Sequence, residues 1–399
     1  MKSNKNRIKG LAVSIIVIAI FLVLGAVPVF GGENGVTGNS VKVGASLDMT
    51  GPIAFVGKSL SDGMNVYFSA INDEGGIHGR KIIQVIEDNG YKPSRAAASV
   101  VKLNDRDKVF AIVGTAGTPT TLAMVPALER AKLPLVGTGS FSPKLADPPK
   151  KYVFHLLTNY NDQMRIGLDY IVKDLGIKKP KLGMIYQDDD FGKHCLDGLK
   201  RQAKMYNIPI IATVTYKRGA IDFNPQVVRM MKAGVEYCFL ATIYRETAGV
   251  VKEAAKLGWK PVFMVSAAAS DPITLKLSGP AADGLLGVAC GELLDSQRPG
   301  WKKYLERTKK YGKGKPAFYH SVGYLYAEVF CEGLRLTGPD LTREKFVKAM
   351  ETIKAFKTGV GPNITFGPNL RSGAHSAFIV KANAKKGQFE RLTEWRGLK

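Results

Sequence analysis

The residues best suited to hold a small molecule lie in the stretch VGTAGTPTT (113–121), which closes the apolar run VFAIV and opens the helix-like segment LAMVPALERAK. Its glycines and threonines therefore occupy a strand-to-helix turn. There, unpaired N–H groups, the positive end of the helix dipole and adjacent hydroxyls suit an anion or a carbonyl. A phosphate cradle of the P-loop type needs Gly-x-x-x-x-Gly-Lys-[Ser/Thr], and no such Lys follows Gly114 or Gly117. The turn reads as a cradle for a smaller, less charged group, with an ordinary capped turn as the alternative.

Residue types that could do covalent or metal chemistry are present but scattered. The five histidines (His78, His155, His194, His320 and His375) form no His-Glu-x-x-His and no metal-type pair, and no Gly-x-Ser-x-Gly elbow surrounds Ser140. His194 and Cys195 are sequence neighbours, which on a helix point about 100° apart. The acidic run Asp188, Asp189 and Asp190 lacks a second oxygen cluster at calcium-loop spacing, so it is expected to face solvent or the hinge. Cys195, Cys238, Cys290 and Cys331 are too widely spaced for a metal site or a dense disulfide framework. Cys238 reads as a buried thiol in YCFLATI, and a Cys290–Cys331 bridge is compatible with an oxidising compartment without being required by the spacing. No catalysis, metal or cofactor is expected.

The elements that must position the turn alternate strand and helix. Strands are expected at 41–47, 81–88, over VFAIVGT and at 134–139, with helices at 57–76, 93–107 and after the quoted turn, where Pro126 should kink or shorten the helix. After the break DPPKKYVF the alternation resumes, with strands at 181–187, over IPIIATVTY and YCFLATI and at 261–267, and helices between them. The unit is βα, hence parallel sheets covered on both faces. Helices near 301–311, 319–337 and 342–353 then lead to strand-like pieces at 364–366, 376–382 and 389–395. Two βα domains in series leave a cleft at the carboxyl ends of their strands. The loops facing it are 45–52, 87–94, 113–121, 136–143, 186–193, 241–248 and 266–272.

Composition is that of a globular protein of two ordinary domains: 399 residues, 45% hydrophobic and 23% charged. The first thirty residues differ. Lys2, Lys5, Arg7 and Lys9 precede twenty residues without a charge (LAVSIIVIAIFLVLGAVPVF), the n-region and h-region of a secretory signal. The reading adopted is a signal peptide over 1–31, with an uncleaved membrane anchor as the rival. Removing the four basic residues lowers the net charge of +23 to +19. The basic residues are spread along helix-like segments without a nucleic-acid motif, so they read as a solvated face and no nucleic-acid partner is expected.

The segments SLDMTGPIAFVGKSLSDGMNVYFSAINDEGGIHGRKI, VGTAGTPTT, PLVGTGSFSPKL, YQDDDFGK, DFNPQVVRMMKAG and LSGPAADGLLGV follow one another in an order that resembles the leucine-type extracytoplasmic solute-binding proteins of branched-chain amino acid ABC transporters. The resemblance runs from residue 41 to the end. It implies a periplasmic binding protein type I (Venus flytrap) fold, in which two Rossmann-like lobes with parallel central sheets are joined by a three-strand hinge. Lobe I would comprise 41–158 plus 290–360, and lobe II 159–289 plus 361–395. In that family hydroxyls and backbone N–H groups of the first lobe clamp a carboxylate, and an acidic residue of the second lobe meets the ammonium. Thr118 matches the first hydroxyl, and the backbone of Gly139 and Ser140 matches the second element of the clamp. Three positions depart: Phe141 stands where the family has a carboxylate-binding Thr, Phe191 where it has an aromatic hydroxyl, and Ala267 near its ammonium-binding Glu. Tyr91 and Gly117 replace two bridging cysteines.

Tyr91 and Tyr244, in loops facing the cleft, offer flat apolar faces with a hydroxyl. Glu246 is the nearest acid that could replace the ammonium partner, and Arg245 beside it could meet a carboxylate, or both could serve their own helix. The expected function is therefore the periplasmic, monomeric solute-binding subunit of an ABC transporter. It would capture a small amino acid or another carboxylate-bearing, aromatic or branched ligand by lobe closure and deliver it to a membrane permease. A periplasmic sensor subunit of the same fold is the alternative.

Overall fold

The computed structural model describes residues 32–398; the signal-peptide reading of 1–31 lies outside the described residues. From Asn34 onward the chain forms one compact unit built on two sheets. The first begins with β1 (Ser40–Leu47), α1 (Ala54–Asp73), β2 (Lys81–Asp88) and α2 (Pro93–Val101). It continues with β3 (Ala111–Thr115), α3 (Thr118–Ala131), β4 (Leu135–Val136) and β5 (Val153–Phe154). All five strands are parallel, in the order β2-β1-β3-β4-β5. β3 is buried along its whole length, as a central parallel strand covered on both faces must be.

The second half repeats the pattern with α4 (Tyr160–Asp169), β6 (Leu182–Gln187), α5 (Asp190–Met205), β7 (Ile210–Tyr216) and α6 (Asn224–Lys232). β8 (Tyr237–Ala241), α7 (Tyr244–Lys256), β9 (Val262–Val265), α8 (Pro272–Ser278) and β10 (Leu286–Ala289) follow. Three helices come next, α9 (Pro299–Tyr311), α10 (Phe318–Thr337) and α11 (Arg343–Met350), then β11 (Ser376–Asn383), β12 (Gln388–Arg391) and the short β13 (Arg396–Gly397). The sheet order is β12-β11-β10-β9-β8-β6-β7, with β11 and β12 antiparallel and β13 pairing with β11.

The late helices return to the first sheet. α10 lies on α1, with Tyr67 and Tyr324 edge to face at 4.9 Å and Phe68 against Phe330 at 6.4 Å. Two glycines permit this approach. A Cβ on Gly63 would stand 1.9 Å from the carbonyl oxygen of His320, and one on Gly323 would stand 2.1 Å from that of Leu60. At the start of α11, buried Arg343 donates to the carbonyls of Phe110 and Val109 at the entry to β3, fixing α11 on the same sheet.

Several elements differ from their sequence expectation. α3 runs through Pro126 without being shortened. The ring is exposed, so the carbonyl it leaves without a donor faces the solvent side. The strand expected at 134–139 pairs only at Leu135 and Val136, because Gly137 takes φ 80° and leaves the extended region. The piece at 364–366 makes only the bridge Phe356–Ile364. The helix expected to reach 107 widens into a π turn at Lys102–Arg106, and α4 is continued by a π turn at Tyr170–Asp174. Cys290 and Cys331 are free, buried thiols rather than a bridge: the first lies beside Thr158, the second on α10 within reach of Glu328 and Arg335.

Candidate functional site

α3 starts without a side-chain cap: Gly117, its N-cap, has φ 88° and the first-turn residue Thr118 is buried. The Thr118 hydroxyl is thereby free to turn sideways, and it meets the Ser140 hydroxyl at 2.9 Å. The turn carrying Ser140 is held against α3 by Gly117 N–H donating to the Gly139 carbonyl (2.8 Å) and Gly139 N–H donating to the Thr115 hydroxyl (3.1 Å). Ser140 Oγ also accepts from Ser142 N–H at 3.2 Å. Behind it, the Thr138 hydroxyl bonds His155 Nδ1 at 2.6 Å. Burial holds His155 down to about 4, so this support stays uncharged at neutral pH.

These two turns form one wall of a cavity at the carboxyl ends of the strands, where open parallel sheets bind ligands. Tyr91, Thr118, Gly139 and Phe141 line it from the first sheet's loops, and Tyr319 and Tyr326 from α10. Tyr160 at the start of α4, Phe191 at the start of α5, Ile243 and Ala268 face them from the second sheet's side. The cavity measures 40 Å³. That is room for about one or two water molecules, so the walls must part to admit a larger ligand. Among the described residues lining it, no side chain carries a charge. Burial drives the phenols of Tyr91, Tyr160, Tyr319 and Tyr326 well above their ordinary range, so their hydroxyls stay protonated and can donate. The Tyr160 hydroxyl lies at hydrogen-bonding position to Thr118, and its ring packs on Phe141 at 5.3 Å and Phe191 at 4.8 Å.

The residues singled out in the sequence thus divide. Tyr91, Thr118, Gly139, Phe141 and Phe191 share the cavity wall, and Ser140 stands immediately behind Thr118. Tyr244 lies outside that wall; its hydroxyl donates to the Pro52 carbonyl at 3.1 Å and its ring meets Phe55 at 5.6 Å. Ala267 is buried, and its N–H donates to Gln163 Oε1 at 2.9 Å. Tyr91 and Gly117, where the resemblance implied a bridge, are in direct contact: a Cβ on Gly117 would fall 2.2 Å from the Tyr91 ring. Tyr160, Tyr319, Tyr326 and Arg218 were missed by sequence reasoning. Asn159, an N-cap just before Tyr160, could have marked the first; nothing local marks the others.

Two charged groups flank the cavity. Glu246, in the first turn of α7, is buried, and its Oε2 has no hydrogen-bond partner among the described residues. Burial pushes its carboxyl up to about 7 against the pull of its own N–H and of Arg245. Its field reaches Tyr91, Tyr216 and Tyr244. Arg218, in the turn after β7, lays its guanidinium over the Tyr91 ring at 4.7 Å and donates to Asp189 at 3.2 Å. Asp189 is also the N-cap of α5, accepting from Phe191 and Gly192 N–H. The acidic run therefore serves a helix start and a contact across the cleft, and no group of residues among those described could hold a metal ion.

A family model for periplasmic binding proteins matches residues 40–388, and the chain belongs to that family of substrate-binding proteins rather than enzymes. It is 26% identical over 241 residues to an amino acid binding protein of Pseudomonas aeruginosa, a match spanning 60% of this chain and 64%, less than two thirds, of that relative. It is 21% identical over 347 residues to Leu/Ile/Val-binding protein homolog 7 of Brucella abortus, covering 82% of this chain and 86% of the relative. Among solved structures, a fatty acid ABC transporter substrate-binding protein from Thermomonospora curvata superposes with TM-score 0.83 at 26% identity, over 92% of this chain and 95% of that one. A branched chain amino acid ABC transporter protein from Thermus thermophilus with bound valine gives TM-score 0.83 at 23% identity, over 90% and 97%, and shares the fold. Among the described residues no helix is long and apolar enough to cross a membrane.

Proposed function

We propose that this chain is the periplasmic solute-binding subunit of an ABC transporter. It works as a monomer, exported through residues 1–31, and closes lobe I (41–158 plus 290–360) on lobe II (159–289 plus 361–395). The ligand is a small molecule with one carboxylate or carbonyl end and a branched or aromatic body, delivered to a membrane permease. The observation that carries this reading is the Thr118–Ser140 hydroxyl pair, 2.9 Å apart, set in a cavity otherwise walled by aromatic and aliphatic side chains. Hydroxyls and helix-start N–H groups suit a carboxylate, and rings suit the body. The likeness to a fatty acid binding protein of the same fold favours an apolar monoacid. The likenesses to amino acid and Leu/Ile/Val-binding proteins, together with the unpartnered Glu246 oxygen, favour a second reading, a zwitterionic amino acid whose ammonium meets Glu246.

A calorimetric titration separates them. Under the first reading 4-methylpentanoate or 3-phenylpropanoate binds more tightly than leucine or phenylalanine. Micromolar binding of leucine, isoleucine or valine with no binding of the deaminated acids establishes the second and overturns the first.

A further inference from the structure

Beside the Thr118 cavity and sharing no lining residue with it, a second cavity of 1020 Å³ runs along the solvent side of α1, between α1 of the first lobe and α8 of the second, and reaches the cleft-facing loops at Met49 and Asp271. That volume sits at the top of the range of about 300–1,000 Å³ typical of small-molecule sites. Its floor is apolar, with Phe55, Phe68, Ile86, Ile273 and Leu294 among its lining residues. Its rim carries Lys58, Lys276, Lys313 and Lys315, all exposed, and none of the four side chains is in an ion pair among the described residues. The acids present are already engaged. Asp62 accepts from His320 Nε2 at 3.1 Å and from the N–H groups of Lys313 and Gly314 at 2.9 and 2.6 Å. Buried Asp271 accepts from Ile273 N–H at 2.9 Å and Tyr319 N–H at 3.4 Å.

Four unpaired ammonium groups around an apolar trough complement a molecule with an acidic head and a hydrocarbon body. An ammonium is a compact charge without the planar fork of Arg, so it accepts carboxylate, sulfate or phosphate heads alike. We infer that this groove is a second ligand site, distinct from the Thr118 cavity, for a single-chain amphiphilic anion. Because Lys58 and Lys276 belong to different lobes, the occupant bridges them and holds α8 against α1.

Dodecanoate, titrated calorimetrically below its micelle-forming concentration, tests this. Saturable one-to-one binding is expected, with no binding of dodecyltrimethylammonium, which has the same chain and the opposite charge. The double variant Lys58→Gln/Lys276→Gln, altered only at exposed side chains, raises the Kd about tenfold. Thr118→Val in the cleft leaves it unchanged. Equal binding of the cationic amphiphile, a double variant within twofold of the parent, or loss of dodecanoate binding in Thr118→Val overturns the site. The last outcome places the acyl chain in the cleft and would leave the proposed function standing. Binding to phosphatidylglycerol vesicles without binding of free dodecanoate also overturns it, because the partner is then a lipid surface.

Discussion

In the proposed function, Thr118 is the residue on which ligand affinity turns. Its hydroxyl shares a hydrogen bond with Ser140, whose Oγ keeps a second partner in Ser142 N–H. Thr118→Val therefore leaves Ser140 satisfied in the free protein but removes a donor from the bound ligand. Titration calorimetry should show affinity for the preferred ligand weakened by about 1–3 kcal/mol, with a loss of fold stability of no more than about 1–3 kcal/mol from the buried Tyr160 hydroxyl that also loses Thr118 as a partner. Glu246 has the opposite character. Its carboxyl titrates at about 7 when folded and near 4.5 when unfolded. Between those values the folded chain retains a proton that the unfolded chain releases, so stability falls as pH rises and the full penalty stands above pH 7. The shift corresponds to about 3 kcal/mol at most. Glu246→Gln is expected to flatten the ligand-free stability curve from pH 4.5 to 7 and to raise stability at pH 8 by about 1–3 kcal/mol, read as the difference from parent in thermal unfolding. That difference is needed because Asp271 and Glu328, raised to about 6 and 7 by burial, slope the same way in both proteins.

At the scale of elements, the crossing of α1 and α10 decides whether Tyr319 and Tyr326 reach the cleft. Their helix is seated by Gly323, whose absent side chain admits the Leu60 carbonyl. Alanine there gains up to about 1 kcal/mol of helix propensity. The overlap of its Cβ with a backbone oxygen outweighs that gain, since overpacking a filled contact costs about 1–3 kcal/mol and the backbone cannot swing aside. Gly323→Ala should lower the urea midpoint and, by displacing α10, weaken ligand binding. An unchanged midpoint would mean that the helices separate at no cost.

For the whole molecule, the proposed closure rests on contacts between the two sides of the cleft. Arg218 lies on Tyr91, Lys144 pairs with Asp190 at 2.9 Å, and the Tyr244 and Tyr319 hydroxyls donate to the Pro52 and Ala268 carbonyls at 3.1 and 2.6 Å. A ligand that touches both lobes shifts the equilibrium toward this arrangement, and each such contact lowers the cost of closing. Arg218 is the member with a stacked and an ionic partner together. Arg218→Gln should shift the ligand-free protein toward the open form, seen as a larger radius of gyration in small-angle scattering. Affinity should fall about threefold to tenfold, mainly through faster dissociation. An unaltered dissociation rate would remove Arg218 from closure.

Local pattern was enough for the βα alternation, because each parallel strand is a short apolar run and each covering helix carries its own period. It was also enough to place Thr118 and Gly139 at strand ends facing a cleft, since a glycine-rich turn before a helix leaves the same N–H groups and hydroxyls free whatever surrounds it. The strand ending early at Gly137 lay beyond that reading, because a positive φ is a property of the packed turn. The partners of the site lay further beyond it. Tyr319 and Tyr326 are about 200 residues from Thr118 in the chain and reach it only because Gly63 and Gly323 let two helices touch. Tyr244 and Ala267 sit in cleft-facing loops by sequence, yet the tertiary structure turns one to the Pro52 carbonyl and the other to Gln163. Which loops face a cleft follows from strand direction, a local property; which side chains meet inside it follows from how two separately folded layers close, and only the assembled molecule contains that.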